Sequence, residues 1–135
     1  MKTNIITLPK IEDPRGNLSV IEGNIIPFAI KRVYFLYDVP SGAERGGHAH
    51  KELQQFIIAV AGSFDVVLNN GKKETVHRLF KPNEGLLVPI NTWRELRNFS
   101  AGAVCLVIAS EEFSEDDYIR DFDEFKKYSQ KYLTT

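Results

Sequence analysis

Hydrophobic and polar residues alternate along most of the chain in short runs, which glycine, proline and asparagine separate. Because successive side chains of a strand point to opposite faces, such runs predict β-strands rather than helices. The predicted strands cover residues 17–22, 29–39, 53–61, 63–68, 74–80, 85–88, 92–99 and 103–109. Short strands with closely spaced turn signals are typical of a β-sandwich or a β-barrel.

One hairpin can be predicted in more detail. Asn69, Asn70 and Gly71 stand between two of the predicted strands. Asparagine and glycine accept the positive φ angles that a two-residue hairpin turn requires. We therefore expect a tight hairpin here.

The last quarter of the chain has helical spacing instead. Ser114 is placed to cap a helix, and the acidic residues of 115–117 would favour its positive N-terminal end. The aromatic residues expected on one helical face are Tyr118, Phe122, Phe125 and Tyr132. We expect one or two short helices at about 114–133, packed on a barrel that spans about 1–110.

Length and composition narrow the classes of protein. A chain of 135 residues with 43% hydrophobic residues can form one core, so residues 1–135 are expected to be one domain. The net charge of −1 gives no field that would attract nucleic acid or an anionic membrane. No signal peptide or membrane span is visible, and Cys105 is the only cysteine, expected as a buried thiol. A cytoplasmic location is the default expectation.

The segment from Gly42 to His50 carries the strongest chemical signal. His48 and His50 are two residues apart, so on a strand they share one face, and in a small barrel that face is the interior. Buried imidazoles are costly without partners. A paired histidine motif after a glycine-rich turn therefore predicts a functional site rather than two structural residues.

The spacing around this motif resembles that of the cupins, whose metal-binding members show G-x5-H-x-H-x3,4-E-x6-G and G-x5-P-x-G-x2-H-x3-N. The first pattern is matched by Gly42, His48, His50 and Gly62, with Gln55 in place of the glutamate. The second is matched by Pro89 and Asn98, with Asn91 in place of the glycine and Arg94 in place of the histidine. The resemblance implies a cupin-type double-stranded β-helix, that is, a jelly-roll barrel.

The same comparison predicts a site without metal and without another cofactor. Divalent cations need three or four donors such as imidazole and carboxylate. Gln55 is a weak neutral donor, and the guanidinium of Arg94 cannot be deprotonated to bind a metal. Two histidines without a metal are suited to acid–base catalysis, because imidazole titrates near neutral pH.

Nearby residues could complete such a site. Arg45 lies three residues before His48, and Arg15 lies in a glycine-containing turn, so both are candidates for binding an anionic group. Tyr34 and Tyr37 fall on opposite faces of one predicted strand, so one of the two hydroxyls should face the cavity. This set of residues fits proton transfer next to a carbonyl of an anionic substrate.

Four segments resemble the sugar 3,4-ketoisomerases of dTDP-sugar pathways, in the same order along the chain: Asp13-Pro14-Arg15-Gly16-Asn17-Leu18, Ile30-Lys31-Arg32-Val33-Tyr34, Arg45-Gly46-Gly47-His48-Ala49-His50 and Asp117-Tyr118-Ile119-Arg120. The resemblance implies a metal-free homodimer that interconverts the 4-keto and 3-keto forms of a dTDP-6-deoxyhexose.

In that family, His48 would be the catalytic base, with His50 and Tyr34 assisting. Arg15 and Arg45 would contact the substrate. The chain has Trp93-Arg94-Glu95 where the family usually shows Trp-His-Glu, so Trp93 and Arg94 are further candidates for substrate contact.

Two other functions fit the same residues. A dTDP-4-keto sugar 3,5-epimerase is a related barrel, but it pairs its histidine with an aspartate, and no aspartate partner is evident in the predicted strands. A non-catalytic nucleotide-sugar-binding cupin is favoured by Arg94 in the histidine position.

Each candidate also has a purely structural interpretation. Arg15 could cap its turn and Arg45 could be a solvent-exposed loop residue, whereas Tyr34 and Trp93 could belong to the core. The acidic pairs near residues 111–117 could be solvated charges at a helix end.

Overall fold

The structure, a computed structural model, describes residues 4–134, with side chains as far as residue 131. Within this range it contains short strands and one C-terminal helix. The strands are β1 (Ile5–Thr7), β2 (Lys10–Ile11), β3 (Leu18–Ser19), β4 (Arg32–Leu36), β5 (Arg45–His50), β6 (Gln55–Ala61), β7 (Phe64–Asn69), β8 (Glu74–Leu79), β9 (Glu84–Val88), β10 (Trp93–Arg97), β11 (Val104–Ala109) and β12 (Tyr118–Ile119). The helix, α1, spans Phe122–Thr134.

Two five-stranded sheets make up most of the fold, and the paired strands are antiparallel. The strand order is β1-β9-β6-β11-β4 in the first sheet and β12-β5-β10-β7-β8 in the second. β2 and β3 form a separate two-stranded hairpin. The all-β prediction is therefore confirmed at this level. The apolar N-terminal segment pairs as β1 with β9 of its own chain.

The main hydrophobic core draws buried side chains from both sheets. Ile57 of β6 and Val107 of β11 come from the first sheet, and Val66 and Leu96 come from β7 and β10 of the second. Cys105 lies in this core as a free thiol, and burial raises its pKa to about 12. The expectation of a buried thiol is thus confirmed.

Two motif positions are explained by backbone geometry. Gly62, between β6 and β7, has a φ of +66°, and a Cβ there would come within 2.8 Å of the Cα of Ala103. Asn91 has a φ of 55°, a left-handed conformation that asparagine tolerates better than most residues. Asparagine can therefore occupy the glycine position of the second motif.

The hairpin between β7 and β8 forms, but its turn differs from the expected two-residue type. Asn69 pairs with Glu74, so four residues make the loop, and of its members Gly71 has positive φ. The side-chain oxygen of Asn70 accepts the backbone N–H groups of Lys72 and Lys73, at 2.9 Å each. Asparagine side chains stabilise this loop by replacing backbone partners.

The prediction that the C-terminal helical segment begins at about residue 114 was wrong. Residues Glu115–Asp117 form one 3-10 turn, and Ser114 makes no side-chain capping hydrogen bond there. Tyr118, expected on a helix, lies in β12, which pairs with β5. This edge strand could not be predicted from helical spacing, because its partner is almost seventy residues away in sequence.

The helix α1 begins later, at a different cap. Asp121 accepts the backbone N–H of Glu124 through Oδ2 at 3.0 Å, which is the usual N-cap hydrogen bond. Phe125 is fully buried against Trp93, and Ser129 donates a hydrogen bond to the carbonyl of Asn70 in the hairpin loop. The side chain of Tyr132 lies outside the described residues. In the described part of the chain, no helix has the length and apolar character to cross a membrane.

Candidate active site

A polar cavity of about 470 Å³ opens between the first sheet at β4 and the second sheet at β5 and β10. Its lining residues are Arg32, Tyr34, Leu36, Arg45, Gly46, Gly47, His48, Arg94, Tyr118 and Arg120. A larger cavity of about 660 Å³ lies by the β2–β3 hairpin, but no histidine, tyrosine or arginine lines it. The polar cavity therefore holds one histidine and two arginines that the sequence analysis singled out, His48, Arg45 and Arg94.

His48 and His50 lie side by side on β5, as their spacing predicts. Their ring centroids are 4.8 Å apart and the rings meet edge to face. Among the residues that the structure describes, neither Nε2 atom has a hydrogen-bond partner, although both atoms are buried. Two imidazoles with unpartnered nitrogen atoms thus lie together, and of the two His48 lines the cavity whereas His50 does not.

The strand carrying the histidines is fixed from behind by Trp93. A Cβ on Gly47 would lie 2.5 Å from the indole ring of Trp93, so only glycine fits at this position next to His48. The Nε1–H of Trp93 donates to Glu95 at 2.9 Å, and the ring packs with Phe125 under α1. Trp93 does not line the cavity. Its position supports the core interpretation over stacking on a nucleotide base.

His50 has a carboxylate partner that the sequence analysis did not find. Its Nδ1–H donates to Oδ2 of Asp117 at 2.9 Å, and both side chains are largely buried. The interpretation of Asp117 as a solvated charge was wrong, and the aspartate partner that was not evident in the predicted strands lies in the 3-10 turn. The available signal was the Asp117-Tyr118-Ile119-Arg120 segment, whose strand aligns Asp117 with the end of β5.

Arg94 is a buried cation, with only 4% of its surface exposed. Its Nε donates to Oε1 of Gln55 at 2.9 Å, and a terminal nitrogen donates to the hydroxyl of Tyr34 at 2.9 Å. Arg94 forms no ion pair with a carboxylate among the described side chains. It therefore leaves positive charge directed at the cavity.

The residues at the cupin ligand positions are engaged with one another rather than arranged as a metal site. Gln55 and Arg94 are hydrogen-bonded together, and His48 lies opposite Arg94 in the strand register. Within the described range, no group of three histidine, cysteine, aspartate or glutamate residues could jointly hold a metal ion. A guanidinium at this place repels a divalent cation.

Two further arginines, Arg32 and Arg120, line the cavity, and the sequence analysis missed both. Arg32 lies over the ring of Tyr34, 4.5 Å from its centroid, and Arg120 lies 4.1 Å from that of Tyr118. Arg120 also forms a bidentate ion pair with Glu115, in which Nε donates to Oε1 at 2.8 Å and a terminal nitrogen donates to Oε2 at 2.9 Å. With Arg45 and Arg94, four guanidinium groups face one small volume, which favours an anionic ligand.

The environment shifts the titration of the central groups. Burial lowers the pKa of His48 to about 2, and the positive charge of Arg94 contributes next. Burial also lowers the pKa of His50, but the hydrogen bond to Asp117 acts in the opposite direction. Burial raises the pKa of Tyr34, which keeps its hydroxyl protonated at neutral pH. The unliganded site therefore holds neutral imidazoles and a neutral phenol.

Arg15 is placed differently from the other candidates. It lies on the loop between β2 and β3, where 90% of its side chain is exposed and it pairs with Asp13 at 3.0 Å. It does not line the cavity. Tyr37, the alternative to Tyr34, is exposed beyond the end of β4, so Tyr34 is the tyrosine that faces the site.

The chain belongs to the FdtA family, because the family model described as WxcM-like, C-terminal, matches residues 1–130. A TDP-4-oxo-6-deoxy-alpha-D-glucose-3,4-oxoisomerase from Aneurinibacillus thermoaerophilus is 43% identical over 132 residues, which cover 97% of this chain and 95% of that protein.

Solved structures similar to this chain include further 3,4-ketoisomerases. A 3,4-ketoisomerase from Helicobacter canadensis is 45% identical, with a TM-score of 0.92 over 96% of this chain and 98% of that one. QdtA, a sugar 3,4-ketoisomerase from Thermoanaerobacterium thermosaccharolyticum solved with TDP, is 39% identical, with a TM-score of 0.92 over 98% of both chains. A 3'-monoepimerase from Streptomyces bikiniensis, at 13% identity and a TM-score of 0.77, shares the fold alone.

Proposed function

We propose that this chain is a sugar 3,4-ketoisomerase, which interconverts the 4-keto and 3-keto forms of a dTDP-6-deoxyhexose. The observation that carries the assignment is that His48 lines a cavity together with four arginines, while the second neutral imidazole, that of His50, packs against His48. This combination offers proton transfer beside a bound anion, and the full-length relatives are 3,4-ketoisomerases. For the epimerase alternative, the comparison with the 3'-monoepimerase supports a shared fold only.

The substrate follows from the charge of the cavity and from the relatives. A nucleotide-linked sugar carries a diphosphate, which arginine recognises through paired N–H donors. A variant of QdtA has been solved with TDP-4-keto-6-deoxyglucose. We propose the same class of ligand here, with Arg45 and Arg120 at the diphosphate and Arg94 at the developing oxyanion.

The proposed reaction moves two protons, one from C3 to C4 and one from O3 to O4, and needs no cofactor. His48 takes the proton from C3, and the electron pair of the C–H bond forms an enediolate with negative charge on O4. The proton on O3 then moves to O4 through His50 or Tyr34. Finally O3 becomes the carbonyl oxygen as C4 takes the proton back from His48. A neutral imidazole is required for the first step, and burial provides one.

We further propose that the two sheets form a cupin-type jelly-roll barrel at about 1–110 and that residues 1–135 are one domain. The interleaved strand order of the two sheets supports this arrangement. Trp93 and Arg15 remain weaker proposals as substrate contacts, because neither lines the cavity of its own chain. A cytoplasmic location stays a prediction, to be tested by cell fractionation.

We propose a homodimer on the basis of an exposed apolar surface. Val33, Phe35 and Tyr37 are each more than half exposed on the outward side of the edge strand β4 and its extension. Clustered exposed hydrophobic side chains of this kind mark protein interfaces. Light scattering at micromolar concentration should give twice the chain mass of 15.4 kDa.

Proton NMR of dTDP-4-keto-6-deoxyglucose incubated with the protein in D₂O tests the activity. A ketoisomerase gives a 3-keto sugar and introduces deuterium from solvent. An inverted 4-keto sugar would instead identify an epimerase. Absence of both turnover and exchange would identify a binding protein and refute the proposal.

A further inference from the structure

Asp117 is held rigidly between His50 and the backbone that follows β5. Its Oδ2 accepts the Nδ1–H of His50 at 2.9 Å, and its Oδ1 accepts the backbone N–H of Glu52 at 2.7 Å. The carbonyl of Asp117 also accepts the N–H of Lys51 at 3.1 Å. Both carboxylate oxygens are thus engaged, and the side chain cannot turn without losing a hydrogen bond.

This contact determines which nitrogen of His50 carries the hydrogen. A carboxylate only accepts hydrogen bonds, and a neutral imidazole has one N–H group. The hydrogen must therefore be on Nδ1, which leaves a lone pair on Nε2. That atom is buried and without a partner among the described residues. The centroid of the His50 ring lies 4.8 Å from that of His48 and 4.3 Å from that of Tyr118.

We infer that Asp117 is a positioning residue for the ketoisomerisation, because it fixes His50 in the tautomer whose Nε2 accepts a proton beside His48. The inference rests on the proposed function. In it, His50 receives the O3 proton of the enediolate at Nε2 and delivers it to O4. The N–H bond that forms in the first half of this relay breaks in the second, so His50 ends as it began.

Asp117 also offsets the charge that His50 carries during the relay. The groups around His50 are Asp117 from the 3-10 turn, His48 on its own strand, Tyr118 on β12, Arg94 on β10 and Arg32 on β4. Burial lowers the pKa of His50 and both arginines lower it further, whereas Asp117 raises it. A protonated His50 therefore depends on Asp117.

The substitution Asp117→Asn inverts this arrangement with little change of shape. If the amide oxygen keeps the N–H of Glu52, the amide NH₂ faces Nδ1 of His50 and donates to it. Nδ1 must then be bare and Nε2 must carry the hydrogen. The matched control is Asp116→Asn, which makes the same chemical change on the neighbouring exposed residue.

The first measurement is the ¹⁵N–¹H coupling pattern of the histidine rings in the unmodified, substrate-free protein. We expect the Nδ1–H tautomer for His50, and the Nε2–H tautomer in Asp117→Asn. A finding of Nε2–H in the unmodified protein overturns the inference, even if the variant fails to fold. This result needs no substrate, so it is separate from any failure of the proposed function, which would appear as absence of turnover.

The second measurement is kinetic. Asp117→Asn should lower kcat by at least about tenfold, which is less than the about 10²- to 10⁴-fold expected for loss of an acid–base group itself, while KM changes by less than about threefold. Asp116→Asn should leave both unchanged. In a His50→Asn background, Asp117→Asn should have almost no further effect, because its action passes through His50. Unchanged kcat in the single variant, or an equal loss in both backgrounds, contradicts the inference.

Discussion

Replacing His48 with asparagine separates proton transfer from substrate binding. Asparagine keeps a polar side chain but cannot act as a base at neutral pH. Because Nε2 of His48 has no hydrogen-bond partner among the described residues, the substitution breaks no hydrogen bond of this atom inside the protein. The four arginines of the cavity are untouched. The main loss should therefore be catalytic.

The expected size of each effect follows from this. General acid–base catalysis contributes about 10²- to 10⁴-fold in rate, equivalent to about 2.7–5.5 kcal/mol of activation free energy. We expect kcat of His48→Asn to fall by at least about 10²-fold. Affinity for the nucleotide sugar should change by less than about tenfold, or about 1.4 kcal/mol, because charged contacts to the diphosphate dominate binding.

The assay combines two readouts. NMR follows conversion and deuterium exchange at C3 of dTDP-4-keto-6-deoxyglucose, and calorimetry follows dTDP binding. The matched control is His77→Asn, because His77 lies on β8 away from the cavity and contacts Thr75. If His48→Asn retains near-normal turnover and C3 still exchanges, His48 is not the base, and the role passes to His50 or Tyr34.

Three further predictions follow from the charges of the site. The free energy of unfolding should fall as the pH drops from about 6.5 towards 2, by up to about 1.4 kcal/mol per pH unit. In this range the unfolded chain binds a proton at His48, whereas the folded chain does not, because folding lowers the pKa of His48 to about 2. Denaturant titrations should show a flatter acid dependence in His48→Asn, and an unchanged slope would contradict the burial argument. Arg45→Ala should raise KM more than it lowers kcat. The control variant Arg78→Ala, which removes a surface ion pair with Asp65, should change neither constant. A rise of KM in Arg15→Ala would show that the β2–β3 loop reaches the substrate. Elemental analysis should find well under one transition-metal ion per chain and chelators should not reduce activity, while stoichiometric metal with loss on chelation would refute the metal-free site.

The sequence by itself predicted the secondary structure wherever local signals were sufficient. The alternation of apolar and polar residues placed β4 and the strands from β6 to β11 within a few residues of their observed positions, whereas β5 was not among the predicted strands. The spacing of His48 and His50 required a shared face, because a strand repeats every two residues. The resemblance to the cupin motif placed Arg94 at the histidine position and so predicted a site without metal.

Helical spacing gave a wrong result between residues 114 and 119. The acidic residues there and the aromatic residues after them suggested one capped helix, but Tyr118 and Ile119 pair with β5 instead. The edge of β5 offers backbone partners that a local pattern cannot reveal. The N-cap residue of α1 is Asp121, which is one of the residue types preferred at this position, and it lies just after the end of β12.

Tertiary structure alone decided which polar residues form the site. Asp117 meets His50 although 67 positions separate them, and Arg94 meets Tyr34 across 60 positions. Trp93 and Arg94 are adjacent in sequence, yet one lies under α1 and the other in the cavity, because neighbouring strand residues face opposite sides. Residue types and periodicity determine what a segment can become. Which side chains share a cavity depends on strand order and register, which only the folded chain defines.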